Sequence, residues 1–175
     1  MGIDDQVDRV DQFLADHSKI LEDYQPHWNH MTGYRDFQCT WNILEEVTGR
    51  TRAHLRFRIP ESDFRFPTIG LIVSGVPVCR VDMADPSICK PNPPWAAKFG
   101  LPPHICGTHT HSWADNRNFV LTSSVWEQPA RRLIDADLTG LDDMFFWFCG
   151  EIGVRIQAHN RPLRMPEGGL FARVV

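Results

Sequence analysis

Thr51-Arg52-Ala53-His54-Leu55-Arg56-Phe57-Arg58-Ile59-Pro60 decides how the rest of the chain is read. Ala53, Leu55, Phe57 and Ile59 alternate with Arg52, His54, Arg56 and Arg58. A period of two puts the first set on one face of a strand and the second on the other. The basic row reads as the solvated face of a half-exposed antiparallel sheet, with docking of an acidic partner as its functional alternative.

Working outward, residues 39–47 predict a preceding strand, with Thr48-Gly49-Arg50 as the turn between the two. Residues 60–67 form a proline-bounded linker and residues 68–73 an almost unbroken apolar strand. Ser74-Gly75 suits a two-residue hairpin turn. Residues 76–83 return as a strand, with Pro77 suggesting an edge position. An antiparallel meander of four strands therefore spans residues 37–83.

Upstream, Asp4 can cap a helix reaching about Glu22, since Ile3, Val7, Val10 and Leu14 form one apolar stripe that Leu21 continues. Residues 24–34 connect it to the sheet and hold His27 and His30. Downstream, residues 84–122 read as a long irregular segment, and a loop of that length in a compact domain is usually functional or disordered. A helix is expected over residues 123–136, with Ser123 or Ser124 as cap and Pro129 near its start. Thr139-Gly140-Leu141-Asp142 has capping-box spacing and opens a second helix that buries Leu141, Met144, Phe145 and Phe148 and ends at Gly150 or Gly153. The expected architecture is one α+β domain over residues 1–175: an N-terminal helix (1–24), a meander (37–83), a His/Cys-containing loop (84–122), two helices (123–152), and a short strand with a Pro/Gly-rich tail (153–175).

A chain of 175 residues, 42% of them hydrophobic, is long enough to bury one substantial core. The net charge of −4 gives no global electrostatic case for nucleic acid or an anionic membrane. No apolar run approaches the roughly 20 residues needed to cross a bilayer. The start, Met-Gly-Ile-Asp-Asp-Gln-Val-Asp, lacks a signal-peptide core, and Gln6 stands where a myristoylation signal has Ser or Thr. Five cysteines without a leader read as reduced thiols in a cytoplasm. Cys39, Cys79 and Cys149 fall on strand or helix patterns and read as small core residues. Cys89 lies in the loop as a further ligand or a spare thiol.

The chemistry concentrates in Pro102–Trp113, where His104, Cys106, Gly107, His109 and His111 fall within eight residues. In an extended backbone His109 and His111 share a face, as do His104 and Cys106, and Gly107 permits the bend that would bring the pairs together. Such nitrogen and sulfur donors suit zinc or another late first-row metal. Asp115 is placed to add a carboxylate ligand or to orient a histidine. Clustered histidines at a loop–strand junction are also often structural.

The order of elements, together with Leu55–Val73 (Leu-Arg-Phe-Arg-Ile-Pro-Glu-Ser-Asp-Phe-Arg-Phe-Pro-Thr-Ile-Gly-Leu-Ile-Val), resembles the ubiquitin-conjugating enzyme (UBC-like) family. Lys90-Pro91-Asn92 is similar to that family's His-Pro-Asn, Ile105-Cys106 to its Ile-Cys, and Trp113 to the tryptophan that follows. Lysine replaces the histidine of the first motif, and the gap from Asn92 to Cys106 is longer than usual. The resemblance implies a thioester on Cys106, oxyanion support from Asn92, and a neighbouring imidazole such as His104 that favours the Cys106 thiolate when protonated. It implies a ubiquitin-like protein as partner and no cofactor; a non-catalytic relative would be a binding module.

His109-x-His111 followed by Ser124-x-x-Glu127 also resembles the JAMM metalloprotease pattern of His-x-His and Ser-x-x-Asp, with Glu45 or Glu46 as upstream acids, and a cupin-like His-x-His is a further partial match. The leading expectation is thus a domain that conjugates or binds a ubiquitin-like protein. The alternative is a metal-dependent hydrolase or metal-binding protein holding zinc on His104, His109, His111 and Asp115, with Cys106 as an added donor. A third is a partner-binding module acting through Arg52, Arg56 and Arg58.

Overall fold

The computed structural model describes residues 2–31, 33–160, 163 and 166, and most of the expected Pro/Gly-rich tail lies outside them. Helix α1 (Ile3–Ala15) leads into short strands β1 (Lys19–Leu21) and β2 (Asn29–Met31). The meander follows as β3 (Asp36–Glu45), β4 (Thr51–Pro60), β5 (Thr68–Val73) and β6 (Val76–Asp82). A small hairpin of β7 (Cys89–Pro91) and β8 (His104–Cys106) precedes β9 (His109–His111), helix α2 (Trp113–Ser123) and β10 (Arg132–Leu133). Helix α3 (Leu141–Glu151) and β11 (Val154–Arg155) complete the main elements.

The meander pairs antiparallel throughout. It lies inside a larger sheet of order β10-β9-β6-β5-β4-β3-β1-β11, with β2 also pairing β3. Only β1 and β11 run parallel among the described pairs. The expected α+β class and the four-strand meander are what the structure has.

The alternation in β4 is realised as read: Ala53, Leu55, Phe57 and Ile59 are buried. Against that face pack Val7, Val10 and Phe13 of α1, and Leu141, Met144, Phe145 and Phe148 of α3. Trp41 stacks on Phe145 with ring centroids 5.5 Å apart. Cys39, Cys79 and Cys149 are buried free thiols, as their patterns implied. On the opposite face Arg52 lies 3.7 Å from Asp16 and 3.9 Å from Glu45, and Arg58 pairs with Asp36. Arg56 is exposed.

Three boundaries differ from expectation. Helix α1 stops at Ala15, and Leu21 belongs to β1. Asp16 accepts hydrogen bonds from the backbone N–H and hydroxyl of Ser18, a local turn that competes with the helix. Lys19, fully buried, donates through Nζ to the Phe13 carbonyl at 2.6 Å and satisfies a carbonyl the ended helix leaves free. At its other end α1 is capped from Gly2, not Asp4, with the Asp5 carboxylate accepting from the Gly2 N–H.

Helix α2 is a correction of about ten residues. It begins at Trp113 inside the supposed loop and ends at Ser123, where a second helix was expected to begin. Ser112 caps it: its hydroxyl accepts from the Asp115 N–H and donates to the Asp115 carboxylate. Ser124, at φ +58°, closes it. Pro77 is a smaller correction, because β6 is interior where β9 pairs with Arg80–Asp82; the proline precedes that pairing and sits at a register shift against β5.

Candidate metal centre

Strand β9 is three residues long and pairs with the end of β6, so that His111 faces Arg80, Thr110 faces Val81 and His109 faces Asp82. Paired residues in an antiparallel sheet point to the same side. His109 and His111 therefore project together, with Thr110 turned away, and their ring centroids lie 5.3 Å apart. Asp82 lies between them. Its Oδ2 is 3.2 Å from Nε2 of His111 and 3.6 Å from Nε2 of His109. One ligand atom from each of these three residues lies within 4.8 Å of the others. Both imidazoles are essentially inaccessible, at 1% and 0% exposure.

The hydrogen bonds fix which ring nitrogen carries the proton. Nδ1 of His109 is 2.7 Å from the Gly107 carbonyl, and Nδ1 of His111 bonds the Gln128 carbonyl. A carbonyl only accepts, so each Nδ1 must donate and each neutral ring turns an Nε2 lone pair toward the site, that of His111 facing an Arg80 N–H. This is the backbone-carbonyl support characteristic of metal-binding histidines. Nε2 of His109 is buried without a hydrogen-bond partner among the described residues. Leaving such an acceptor unmet costs about 1–3 kcal/mol.

The electrostatics favour neutral rings beside an ionised acid. Burial pushes both histidines below the ordinary imidazole value, against the opposing pull of the Gly107 carbonyl on His109 and of Asp82 on both. Burial alone would raise Asp82. The Arg80 charge and the Thr68 hydroxyl, 2.9 Å from Oδ1, hold its carboxyl well below the usual range. Arg80 straddles the site, with Nε donating to Asp82 Oδ2 at 3.1 Å and a terminal nitrogen 3.0 Å from His111 Nε2. A cation already stands beside two of the three converging donors.

The other expected site residues lie elsewhere. His104 is exposed on β8. Cys106 is bonded to Cys89 across the β7–β8 hairpin, where the two are register partners. The reading of all five cysteines as free thiols is corrected there, and Cys106 has no nucleophilic thiol while the bridge holds. Asn92 uses both amide N–H groups on the carbonyls of Pro102 and Arg131, 2.9 Å each, and its Oδ1 accepts from the Arg131 N–H. It is a clamp with no donor left for an oxyanion. Asp115, expected as a ligand, pairs with Arg132 at 2.6 Å and accepts from the hydroxyl of the α2 cap Ser112. Ser124 and Glu127 are exposed, Glu45 bonds Thr48, and Glu46 pairs with Arg155, so none of them joins the histidines.

Sequence reasoning missed Asp82 and Arg80. The alternation of β6 already put them on the face opposite Val81; which strand would pair there was not written locally. No protein-family model, curated protein or solved structure matches this chain.

Proposed function

We propose that this protein binds a divalent first-row metal ion through Asp82, His109 and His111, and that the centre belongs to the class that performs metal-assisted hydrolysis. The observation that carries the reading is the buried, unpartnered Nε2 of His109, turned toward a carboxylate and a second imidazole whose Nδ1, like that of His109, is held by a backbone carbonyl. Two histidines and one carboxylate suit Zn²⁺, Co²⁺ or Fe²⁺. Three protein ligands, where a structural zinc takes four, leave a coordination position for water, and a bound divalent ion lowers the pKa of that water toward neutrality.

Titration of chelator-treated protein with Co²⁺ tests this. The expected result is one site per chain with visible-range absorption bands, abolished in Asp82→Asn and in His109→Ala while circular dichroism shows both variants folded. Binding that survives both substitutions contradicts the assignment.

A UBC-like conjugating domain is the second reading, favoured by the order of α1, the β3–β6 meander and the cysteine-bearing segment after it. On that reading a ubiquitin-like protein is the partner, and reduction of Cys89–Cys106 precedes thioester formation. The discriminating result is a reductant-sensitive adduct that Cys106→Ser converts to a stable ester. A cytoplasmic location goes with this reduced form. No helix among the described residues is long and apolar enough to cross a membrane.

A further inference from the structure

The surroundings of the metal centre are more positive than its ligands are negative. Arg80 contacts both Asp82 and His111 and keeps 40% of its side chain exposed. Arg131 lies within electrostatic reach of Arg80 and Asp82. One of its terminal nitrogens donates to the carbonyls of Pro91 and Pro129, while its Nε is a buried donor with no acceptor among the described residues. Lys90, on β7, adds a positive charge that bears on the His109 ring. The nearest further carboxylates in sequence are engaged elsewhere, Asp85 with Ser87 and Asp115 with Arg132. Three cations thus bear on a site whose ligand set supplies one carboxylate.

A divalent ion added to that field would be repelled by Arg80 at contact range and left under-neutralised by Asp82. An arriving anion removes the conflict. A guanidinium offers a fork that fits the paired oxygens of a phosphate or carboxylate, and Arg80 is exposed enough to turn from Asp82 toward one. The orphaned Nε–H of Arg131 is a second donor in want of an acceptor.

We propose that the centre takes its metal ion together with an oxyanion, the phosphate or carboxylate group of its substrate, held by Arg80, Arg131 and Lys90. This rests on the metal reading above and names the substrate class for it. Because Arg80 must leave the ligands to reach the anion, metal and anion bind cooperatively, each raising the affinity for the other by the same factor.

The test is Co²⁺ affinity, measured by competition with an indicator chelator in chloride buffer alone, with inorganic phosphate, and with acetate, after correction for complexes in solution. At least one of the two anions is expected to raise the affinity of the wild-type protein by about tenfold or more. A response to phosphate alone assigns a phosphorylated substrate, and an equal response to acetate assigns a carboxylate. Arg80→Gln is expected to bind Co²⁺ more tightly than wild type in chloride and to lose most of the anion dependence. Lys90→Gln, on a short surface hairpin, is expected to weaken the dependence without unfolding the chain. Wild-type affinity that is the same in all three buffers overturns the coupling and leaves the metal centre standing. Failure to bind Co²⁺ in any buffer, by wild type and Arg80→Gln alike, overturns the metal reading and this inference with it.

Discussion

At the scale of the residue, His109 and His111 are held as neutral rings by two carbonyls and by burial, and this has a consequence for stability. Both have native pKa values below the ordinary one, while in the unfolded chain they titrate near about 6.5. Just below that pH the unfolded state binds more protons on these two rings than the native state does, at most two. Stability of the metal-free protein is therefore expected to fall as pH drops through about 6.5, with a limiting slope near 2.7 kcal/mol per pH unit for two groups. Asp82 acts in a different window: its lowered pKa contributes stability that is present above about 3.9 and lost below it. Urea unfolding between pH 7.5 and pH 5 checks this, and His109→Gln is expected to remove roughly half of the slope. A flat profile would mean that the two rings take up protons in the folded protein.

At the scale of the element, the β7–β8 hairpin and the residues after it aim His109. Gly107 supplies the carbonyl that holds Nδ1, and it does so at φ +82° with the Pro86 Cα 3.2 Å from where a Cβ would stand. Gly107→Ala adds both a left-handed backbone penalty of about 1–2 kcal/mol and that contact. The expected outcome is a chain destabilised by about that amount in thermal unfolding, with weakened Co²⁺ binding because the backbone shift displaces the carbonyl that orients the His109 ring. The sequence supplied the bend at Gly107 and the shared face of His109 and His111, since both follow from local backbone rules. It misled at α2. Ser112-x-x-Asp115 is a helix start, yet Asp115 beside a histidine cluster invites a ligand reading, and Pro129 does not reveal that its helix has already ended. A short polar side chain serves a cap and a metal equally well, and only the position of Arg132 and the Ser112 hydroxyl decides between them.

At the scale of the whole molecule, the sheet assembles the centre from residues far apart in sequence. The row His109–Asp82–Thr68–Arg58–Gln38 crosses five strands on the face opposite the helices, and His111–Arg80–Gly70–Arg56–Thr40 runs beside it. The meander that carries most of both rows was legible, because alternation and tight turns are local signals. Pairing of β9 with β6 was not, because it closes over the 26 residues between Asp82 and His109, and the partner of a three-residue strand is set by what packs around it. Convergence of His104 and Cys106 with His109 and His111 failed for the same reason: β8 pairs with β7 in a separate two-stranded sheet. The site is thus an aspartate and two histidines gathered by strand register, and the thiol belongs to the hairpin alongside.

Elemental analysis of the protein as purified, beside Asp82→Asn and a His109→Ala plus His111→Ala double variant, bears most directly on that assignment. About one divalent transition-metal ion per chain is expected in the wild type and none in either variant. Equal metal content in all three, or none in the wild type even after incubation with Zn²⁺, would contradict it.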